Sequence, residues 1–305
     1  MFQGGVPLQN AHICPESIKS KIGKLKPSSA PGQDKISSKK FLNLQDELAI
    51  LLCIIFTKSL NEGQVPSDWK LANVTPIFKK GNKDSPGNYR PISLTCILSK
   101  IMESILRDHI MAHLDMYKLI RQSQHGFLSH RSTVTNLLEY LDKVTDLIDS
   151  GANVDIFYLD FAKAFDKVPH KRLLAKLRAH GITGIIAEWI EDWLSDRQQR
   201  VIINGCSSGW LQVSSGVPQG SVLGPILFII YINDIDLAVD VTSISLFKFA
   251  DDTKGVKVIK DQSSATELQE ALNSLFAWSQ EWQMLFNVDK CHVIHMGKSN
   301  PNFPY

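Results

Sequence analysis

The stretch that decides the fold is residues 245–259, which read SLFKFADDTKGVKVI. Two apolar arms flank a short tip, and the alternation within the arms predicts a β-hairpin. The tip carries two adjacent acids, Asp251 and Asp252, where a hairpin turn more often carries Asn-Gly or Asp-Gly. Adjacent acids are also common on solvated turns. A second acidic site is therefore needed before metal binding can be inferred.

A second acidic site follows a strand-like run at residues 154–160, VDIFYLD, which ends on Asp160. One acid at a strand end and two at a hairpin tip suit phosphoryl transfer with two divalent ions, because Mg2+ prefers oxygen ligands and leaves positions for substrate phosphates. Three clustered carboxylates repel each other without the ions, so such a cluster indicates function rather than structure. The pattern predicts that Asp160, Asp251 and Asp252 converge.

The composition is that of an ordinary globular protein, with 44% hydrophobic and 21% charged residues in a chain of 305. This length allows two or three subdomains. The net charge is only +2, yet residues 69–131 hold ten Lys or Arg and four Asp or Glu. Such a local excess suits a polyanionic partner, although a solvated charged face has the same composition.

Cysteine usage and hydropathy indicate an intracellular protein. The five cysteines include no CxxC pair, which favours a reducing compartment over a disulfide framework. The longest apolar run, residues 48–56, is far shorter than the about 20 residues that cross a bilayer, so it predicts a buried helix. Residues 1–10 lack the basic start and apolar core of a signal peptide. We expect no membrane segment and no targeting signal.

A basic hairpin is predicted ahead of the acidic sites, with a strand at 69–78, a turn at 79–88 and a return at 89–94. Regular pairing would place Lys79 opposite Arg90. An ammonium and a bidentate guanidinium could then grip a triphosphate, although both could also be ordinary exposed residues of a turn.

The remaining chain alternates helices with short strands and loops. A turn is predicted at 124–127, QHGF, and a Gly-rich loop at 214–225 leads into an apolar helix at 226–235. Small residues in that loop let a backbone or a base pair approach closely. A last strand pair is predicted at 284–296. Other helices are predicted at 38–60, 95–119, 132–150, 171–180, 184–196 and 262–282, and a further hairpin joins 199–204 to 210–213.

In this order the motifs resemble the reverse transcriptase domain of non-LTR (LINE-type) retrotransposons, in particular the jockey-like and chicken-repeat branch. The resemblance covers residues 28–297. Five motifs carry it: PGQD at 31–34, the basic finger at 79–94, LDFAKAFD at 159–166, the loop at 216–225 and FADD at 249–252.

The resemblance implies a role for each matching residue of the acidic sites. Asp160, Asp251 and Asp252 would ligate two Mg2+ ions, with Mn2+ as an alternative, and the backbone carbonyl of Phe161 would assist them. Lys290 would protonate the pyrophosphate as it leaves. All of these residues would then surround the reacting phosphate.

A second group of residues is implied to bind the incoming dNTP, together with Phe161. Lys79 and Arg90 would hold the triphosphate, and Gln219 would support the nucleotide and template. Phe165 would be a steric gate whose ring crowds the sugar 2′ position and so favours deoxynucleotides.

The implied fold is α+β, a right-hand polymerase palm and fingers in which a small antiparallel palm sheet is backed by helices, with the thumb absent. The predicted organisation is an N-terminal extension at 1–27, fingers and the start of the palm at 28–150, the palm with the catalytic triad at 151–297 and a truncated tail at 298–305. Members of the family usually carry an endonuclease before this region and a thumb after it.

The expected function is RNA-directed DNA polymerisation in retrotransposition, with an RNA template, a DNA primer and dNTP as partners. Several alternatives stay open. An RNA-templated RNA polymerase would favour Gly-Asp-Asp and a small gate residue, and an intron-encoded reverse transcriptase would differ at Gly224. A truncated remnant with low activity, or a nucleic-acid-binding scaffold, would fit the short chain. The family implies the nucleus or a cytoplasmic ribonucleoprotein, and the oligomeric state is left open.

Overall fold

The structure, a computed structural model, describes Phe2, residues 5–240 and residues 242–305. Three residues of the predicted N-terminal extension, Met1, Gln3 and Gly4, lie outside the described residues, as does Val241. The chain divides into two compact units. The first unit comprises Met1–Leu119 and His170–Leu227, and the second comprises Ile120–Pro169 and Phe228–Tyr305.

The described residues form helices and short strands. The strands are β1 (Leu71–Phe78), β2 (Tyr89–Leu94), β3 (Asn153–Leu159), β4 (Gln198–Ile203), β5 (Cys206–Ser207), β6 (Leu211–Gln212), β7 (Ile244–Phe249), β8 (Asp252–Ile259) and β9 (His292–Met296). The α-helices are α1 (Pro15–Gly23), α2 (Ser38–Asn43), α3 (Gln45–Asn61), α4 (Ile97–Met116), α5 (Thr133–Asp149), α6 (Ala164–Lys167), α7 (His170–Ala179), α8 (Gly184–Leu194), α9 (Gly224–Tyr231) and α10 (Gln262–Glu281). None of these helices is both long enough and apolar enough to cross a bilayer, within the described part of the chain.

The first unit builds a sheet in the order β2-β1-β4-β5, with β6 paired to β4. β1 and β2 are antiparallel, whereas β1 and β4 run parallel. Helix α3 packs against α1 and α8. The apolar face of α8 is fully buried, with Trp189 and Trp193 as its largest side chains. Burial of two tryptophans makes this helix a major source of stability in the first unit.

The finger hairpin is present, but its register differs from the prediction. Arg90 pairs with Ile77, and the backbone N–H of Lys79 donates to the carbonyl of Asn88 at 2.9 Å. The prediction that Lys79 faces Arg90 is therefore wrong. The residue opposite Lys79 is Asn88, two positions before Arg90, and Asn88 ends a 3-10 turn at Pro86–Asn88. Because residues two apart share a face, Lys79 and Arg90 become diagonal neighbours on one face.

The second unit contains the predicted palm sheet, in the order β7-β8-β3-β9 with every neighbouring pair antiparallel. Helix α5 covers one face through a core that includes Tyr140, Val144, Ile156 and Phe247. The helix starts where Ser132 accepts the backbone N–H of Thr135 in a capping box. A small antiparallel sheet backed by a helix is thus confirmed.

Three predicted elements differ in the structure. The helix predicted at 38–60 is divided at Leu44 into α2 and α3, and the apolar helix predicted at 226–235 is α9, followed by a 3-10 turn at Asn233–Ala238. The strand pair predicted at 284–296 is wrong, because only β9 forms there and it pairs with β3. The preceding segment meets the chain after β3 instead, through a bridge between Phe161 and Phe286.

Candidate active site

The register of the palm sheet brings two of the predicted acids to neighbouring strand ends. Leu159, the last residue of β3, pairs with Thr253 of β8. Extending that register by one residue sets Asp160 beside Asp252, and directly opposed residues of antiparallel strands have Cα atoms about 4.5–5.5 Å apart. Strand alternation places both acids on the sheet face that α5 covers.

Asp251 occupies the tip of the β7–β8 hairpin. Phe249 pairs with Asp252, which leaves only Ala250 and Asp251 between the strands. Ala250 has φ 54, a left-handed conformation that is uncommon for a residue with a side chain. The buried amide of Gln124 contacts both polar groups of the Ala250 backbone. The predicted hairpin is confirmed, and Gln124, a residue outside the hairpin, supports its tip through hydrogen bonds.

Lys290 contacts the acid at the end of β3. Its Nζ lies 2.9 Å from Asp160 Oδ2, in an ion pair whose side chains are 54% and 30% exposed. A 3-10 turn at Val288–Lys290 brings the ammonium there, and the backbone N–H of Asn287 donates to the Asp160 carbonyl at 2.7 Å. The structure thus places Lys290 directly against one of the three acids.

The two aromatic residues after Asp160 have different surroundings. Phe161 is buried and stacks on Phe286, with ring centroids 4.7 Å apart. Phe165 is partly exposed on α6 and stacks on the buried ring of Phe228 at 4.4 Å, while the edge of Phe127 meets it at 6.1 Å. Rings on two sides therefore fix the orientation of the Phe165 side chain.

The other predicted nucleotide-binding residues belong to the first unit. Lys79 and Arg90 are exposed on the finger hairpin. The carbonyl of Gln219 accepts the backbone N–H of Ser93 at 2.7 Å, which fastens the Gly-rich loop to β2. Gly220 has φ 112, and a Cβ there would lie 2.6 Å from the Ser93 oxygen, so only glycine fits this close approach.

A buried acid that sequence reasoning missed also supports the Gly-rich loop. Glu103, on α4, is fully buried, and its Oε2 accepts the backbone N–H groups of Val222 at 2.7 Å and Leu223 at 3.3 Å. Its Oε1 accepts the Ser99 hydroxyl at 2.7 Å. Burial lowers the pKa of the Arg197 guanidinium to about 10, and the charge of Glu103 opposes this lowering. In the sequence, the signal that could have identified Glu103 is an acidic residue at a position of α4 whose neighbours on the same face are apolar.

The acids fit hard divalent cations in chemistry and in backbone placement. Carboxylate oxygens are the ligands that Mg2+ and Mn2+ prefer. Among the residues that the structure describes, however, no three Asp, Glu, His or Cys side chains are arranged so that they could hold a metal ion. One acid, Asp160, is instead paired with Lys290. The acids are therefore neighbours on the backbone whose side chains would have to reorient around an ion.

Comparison with known proteins gives the family. Residues 77–304 match the family model described as reverse transcriptase (RNA-dependent DNA polymerase). The chain belongs to the reverse transcriptase family. Members of this family are nucleotidyltransferases that generally use divalent metal ions and act on nucleic-acid templates and primers with nucleotide substrates. The predicted family is confirmed.

Individual relatives of this reverse transcriptase domain are mobile-element polymerases. The RNA-directed DNA polymerase from mobile element jockey of Drosophila melanogaster is 30% identical over 297 residues, which cover 95% of this chain and 32% of the relative. The probable RNA-directed DNA polymerase from transposon X-element of the same species is 27% identical over 272 residues, covering 88% of this chain and 30% of that protein. The chain thus spans about a third of the length of these curated relatives.

A solved structure shares the fold. The structure of apo telomerase from Candida tropicalis, truncated from its C-terminal domain, covers 87% of this chain and 57% of that chain with a TM-score of 0.56 and 14% identity. This similarity confirms the α+β right-hand polymerase fold of the reverse transcriptase domain.

Proposed function

We propose that this reverse transcriptase domain is an RNA-directed DNA polymerase that transfers a nucleotidyl group from a dNTP to a primer 3′-hydroxyl on an RNA template, in retrotransposition. The observation that supports the proposal is the strand register that sets Asp160 beside Asp252, with Asp251 in the intervening tip. The names of its relatives agree with this activity.

The three acids and the carbonyl of Phe161 are the proposed ligands of two Mg2+ ions. When bound, such ions stabilise the attacking and leaving oxygens of an in-line displacement. Mutual repulsion of the acids favours binding of a cation over leaving the carboxylates alone. We assign to Asp160, Asp251 and Asp252 the task of holding that charge at the end of the palm sheet.

Lys290 is the proposed proton donor. Its ammonium is held 2.9 Å from Asp160 Oδ2, so a proton is available beside the acid that would carry the ion. With a cation on the carboxylate, Asp160 would no longer hold the ammonium, and Lys290 would be free to turn toward the substrate. The proton can then pass from Nζ to the leaving pyrophosphate.

The remaining assignments concern the nucleotide. Lys79 and Arg90 are proposed to bind the triphosphate, because a guanidinium binds phosphate oxygens through two parallel hydrogen bonds. Gln219 is proposed to support the base pair from a loop that Ser93 holds in place. Phe165 is proposed to exclude the 2′-hydroxyl, and its stacking on Phe228 gives the ring the rigidity that exclusion requires.

The test is primer extension with Mg2+ on an RNA template annealed to a DNA primer. The chain should incorporate dNTP, and Asp160→Asn and Asp251→Asn should each reduce incorporation to background. The matched control is Asp142→Asn on the exposed side of α5, which should leave extension unchanged. Equal extension by the chain and by Asp251→Asn would refute the proposal.

A nucleic-acid-binding scaffold is the second candidate, because the acid side chains do not form a ready-made ligand group within the described residues. It would bind the template-primer duplex without incorporating nucleotides. The proposed setting of either function is the nucleus or a cytoplasmic ribonucleoprotein, which family membership alone supports.

A further inference from the structure

The segment before α5 runs alongside the strand that leads to the acidic tip. The backbone N–H of Lys248 donates to the Ser123 carbonyl at 2.7 Å, and the N–H of His125 donates to the Lys248 carbonyl at 2.8 Å. This parallel pairing sets Gln124 level with Lys248 of β7, two residues before Ala250. The guanidinium of Arg131 adds a hydrogen bond to the Gln124 carbonyl at 2.6 Å. The Gln124 backbone is therefore fixed relative to the tip.

The Gln124 side chain makes three hydrogen bonds, two to the Ala250 backbone at the tip and one to Gly126. Its Oε1 accepts the backbone N–H of Ala250 at 2.9 Å and that of Gly126 at 2.7 Å, and its Nε2 donates to the Ala250 carbonyl at 3.2 Å. Two N–H donors require the oxygen on one side and a carbonyl requires the NH2 on the other, so the network defines the amide orientation. Only 1% of Gln124 is exposed, so water does not compete for these bonds.

The tip needs such support because of its conformation. Ala250 has φ 54, and alanine does not favour the left-handed region as glycine or asparagine does. The neighbouring backbone comes so close that a Cβ on Gly126 would lie 2.3 Å from the Ala250 nitrogen. Strained backbone persists only where its surroundings hold it, and here the holding groups are Gln124 and the close contact of Gly126.

We propose that Gln124 is a positioning residue of the polymerase centre: its amide holds Ala250 in the left-handed conformation that presents Asp251 and Asp252 at the end of the palm sheet. This inference rests on the proposed function of those acids. The proposed role of Gln124 requires no contact with the substrate. It acts through the backbone of the residue that precedes them.

The test compares Gln124→Met, which keeps length and volume and loses the hydrogen bonds, with Gln122→Met, an exposed glutamine two residues away. Hydrogen exchange without any metal should show faster exchange at residues 249–252 in Gln124→Met alone. The Kd for Mn2+, used as the probe ion, and the Mg2+ concentration that gives half-maximal primer extension should both rise by about 10- to 100-fold, the usual effect of losing a partner that orients a ligand. The KM for dNTP should stay unchanged.

A second pair of variants keeps the inference testable if Gln124→Met folds poorly. Gly126→Ala pushes on the tip while retaining the amide and should give the same exchange and metal signatures. Ala250→Gly removes the strain and should restore part of the Mn2+ affinity lost in Gln124→Met. Wild-type exchange and wild-type Mn2+ affinity in Gln124→Met would overturn the inference.

The outcomes separate the two proposals. If Asp251→Asn abolishes extension and Gln124→Met changes neither exchange nor metal dependence, the positioning role fails and the polymerase function stands. If Asp251→Asn leaves extension unchanged, the polymerase function fails, and the positioning role for catalysis fails with it. Exchange at residues 249–252 then reports only on the conformation of the tip.

Discussion

A buried ion pair lies beneath the acidic tip, and breaking it should destabilise the second unit. Lys248 Nζ lies 2.8 Å from Asp236 Oδ1, with side chains 0% and 7% exposed. The other carboxylate oxygen accepts the Ser123 hydroxyl at 2.6 Å. Burial lowers the pKa of Lys248, and the charge of Asp236 opposes that lowering. The perturbation is Lys248→Met, which keeps the volume and removes the cation.

The expected cost follows from the burial of both partners. Lys248→Met leaves the Asp236 carboxylate buried beside a neutral side chain, and breaking a buried pair in this way costs about 3–5 kcal/mol. Adding Asp236→Asn removes the stranded charge while an amide oxygen can still accept the Ser123 hydroxyl. The double variant should therefore recover most of the loss, because neutral replacement of a buried pair is often close to neutral in free energy.

The assay is urea unfolding of the wild type, both single variants and the double variant, with hydrogen exchange of β7 and β8 reporting on the second unit. The four free energies form a double-mutant cycle. Refutation would be simple additivity, with the double variant losing as much as the two single variants together. That result would mean that the pair is solvated or exchanges partners in solution.

Three further predictions concern the proposed steric gate Phe165, the palm sheet and the pH dependence of the first unit's stability. Phe165→Ala should raise the incorporation of ribonucleotides relative to deoxynucleotides in primer extension, and an unchanged ratio would remove it from the gate role. Gly255→Ala should destabilise the palm sheet by about 1–3 kcal/mol in urea unfolding, because its Cβ would lie 2.1 Å from the Phe157 ring. The control Gly209→Ala places its Cβ in open space and should leave the stability unchanged. Equal unfolding midpoints for the two variants would contradict the close contact between Gly255 and Phe157. Burial lowers the pKa of His170, so on acidification the unfolded chain takes up a proton before the folded chain does. The free energy of unfolding should therefore fall as the pH drops from about 6.5 toward the lowered pKa. His170→Gln should reduce this dependence of the unfolding free energy on pH, and an unchanged dependence would assign it to other groups.

Much of the site could be predicted because its signals are local. Alternating apolar residues around Asp251 and Asp252 specify a hairpin, because its two strands and the short tip between them are adjacent in the sequence. The strand ending on Asp160 is equally local. The resemblance added the order of motifs, and the match over residues 77–304 confirmed the family.

Only tertiary structure could decide the supporting contacts, because they join residues far apart in the chain. Gln124 and Ala250 are separated by 126 positions, and Glu103 lies 119 positions before Val222. A turn glutamine and a helix glutamate have no local pattern that names their partners. The register of the finger hairpin also depends on the folded turn: Arg90 pairs with Ile77, whereas regular pairing predicted Lys79 as its partner.

The sequence by itself determined which chemical groups the protein has, where the three palm strands next to the acids run and which residues sit at their ends, since period-two alternation is set by covalent geometry. The tertiary structure decided which of those groups meet. The register of β3 and β8, continued one residue beyond the pair Leu159–Thr253, sets Asp160 beside Asp252, and Ala250 keeps its strained conformation because a buried amide satisfies its backbone. Such contacts arise from burial, where an unpaired polar group is costly, and burial exists only once the chain has folded.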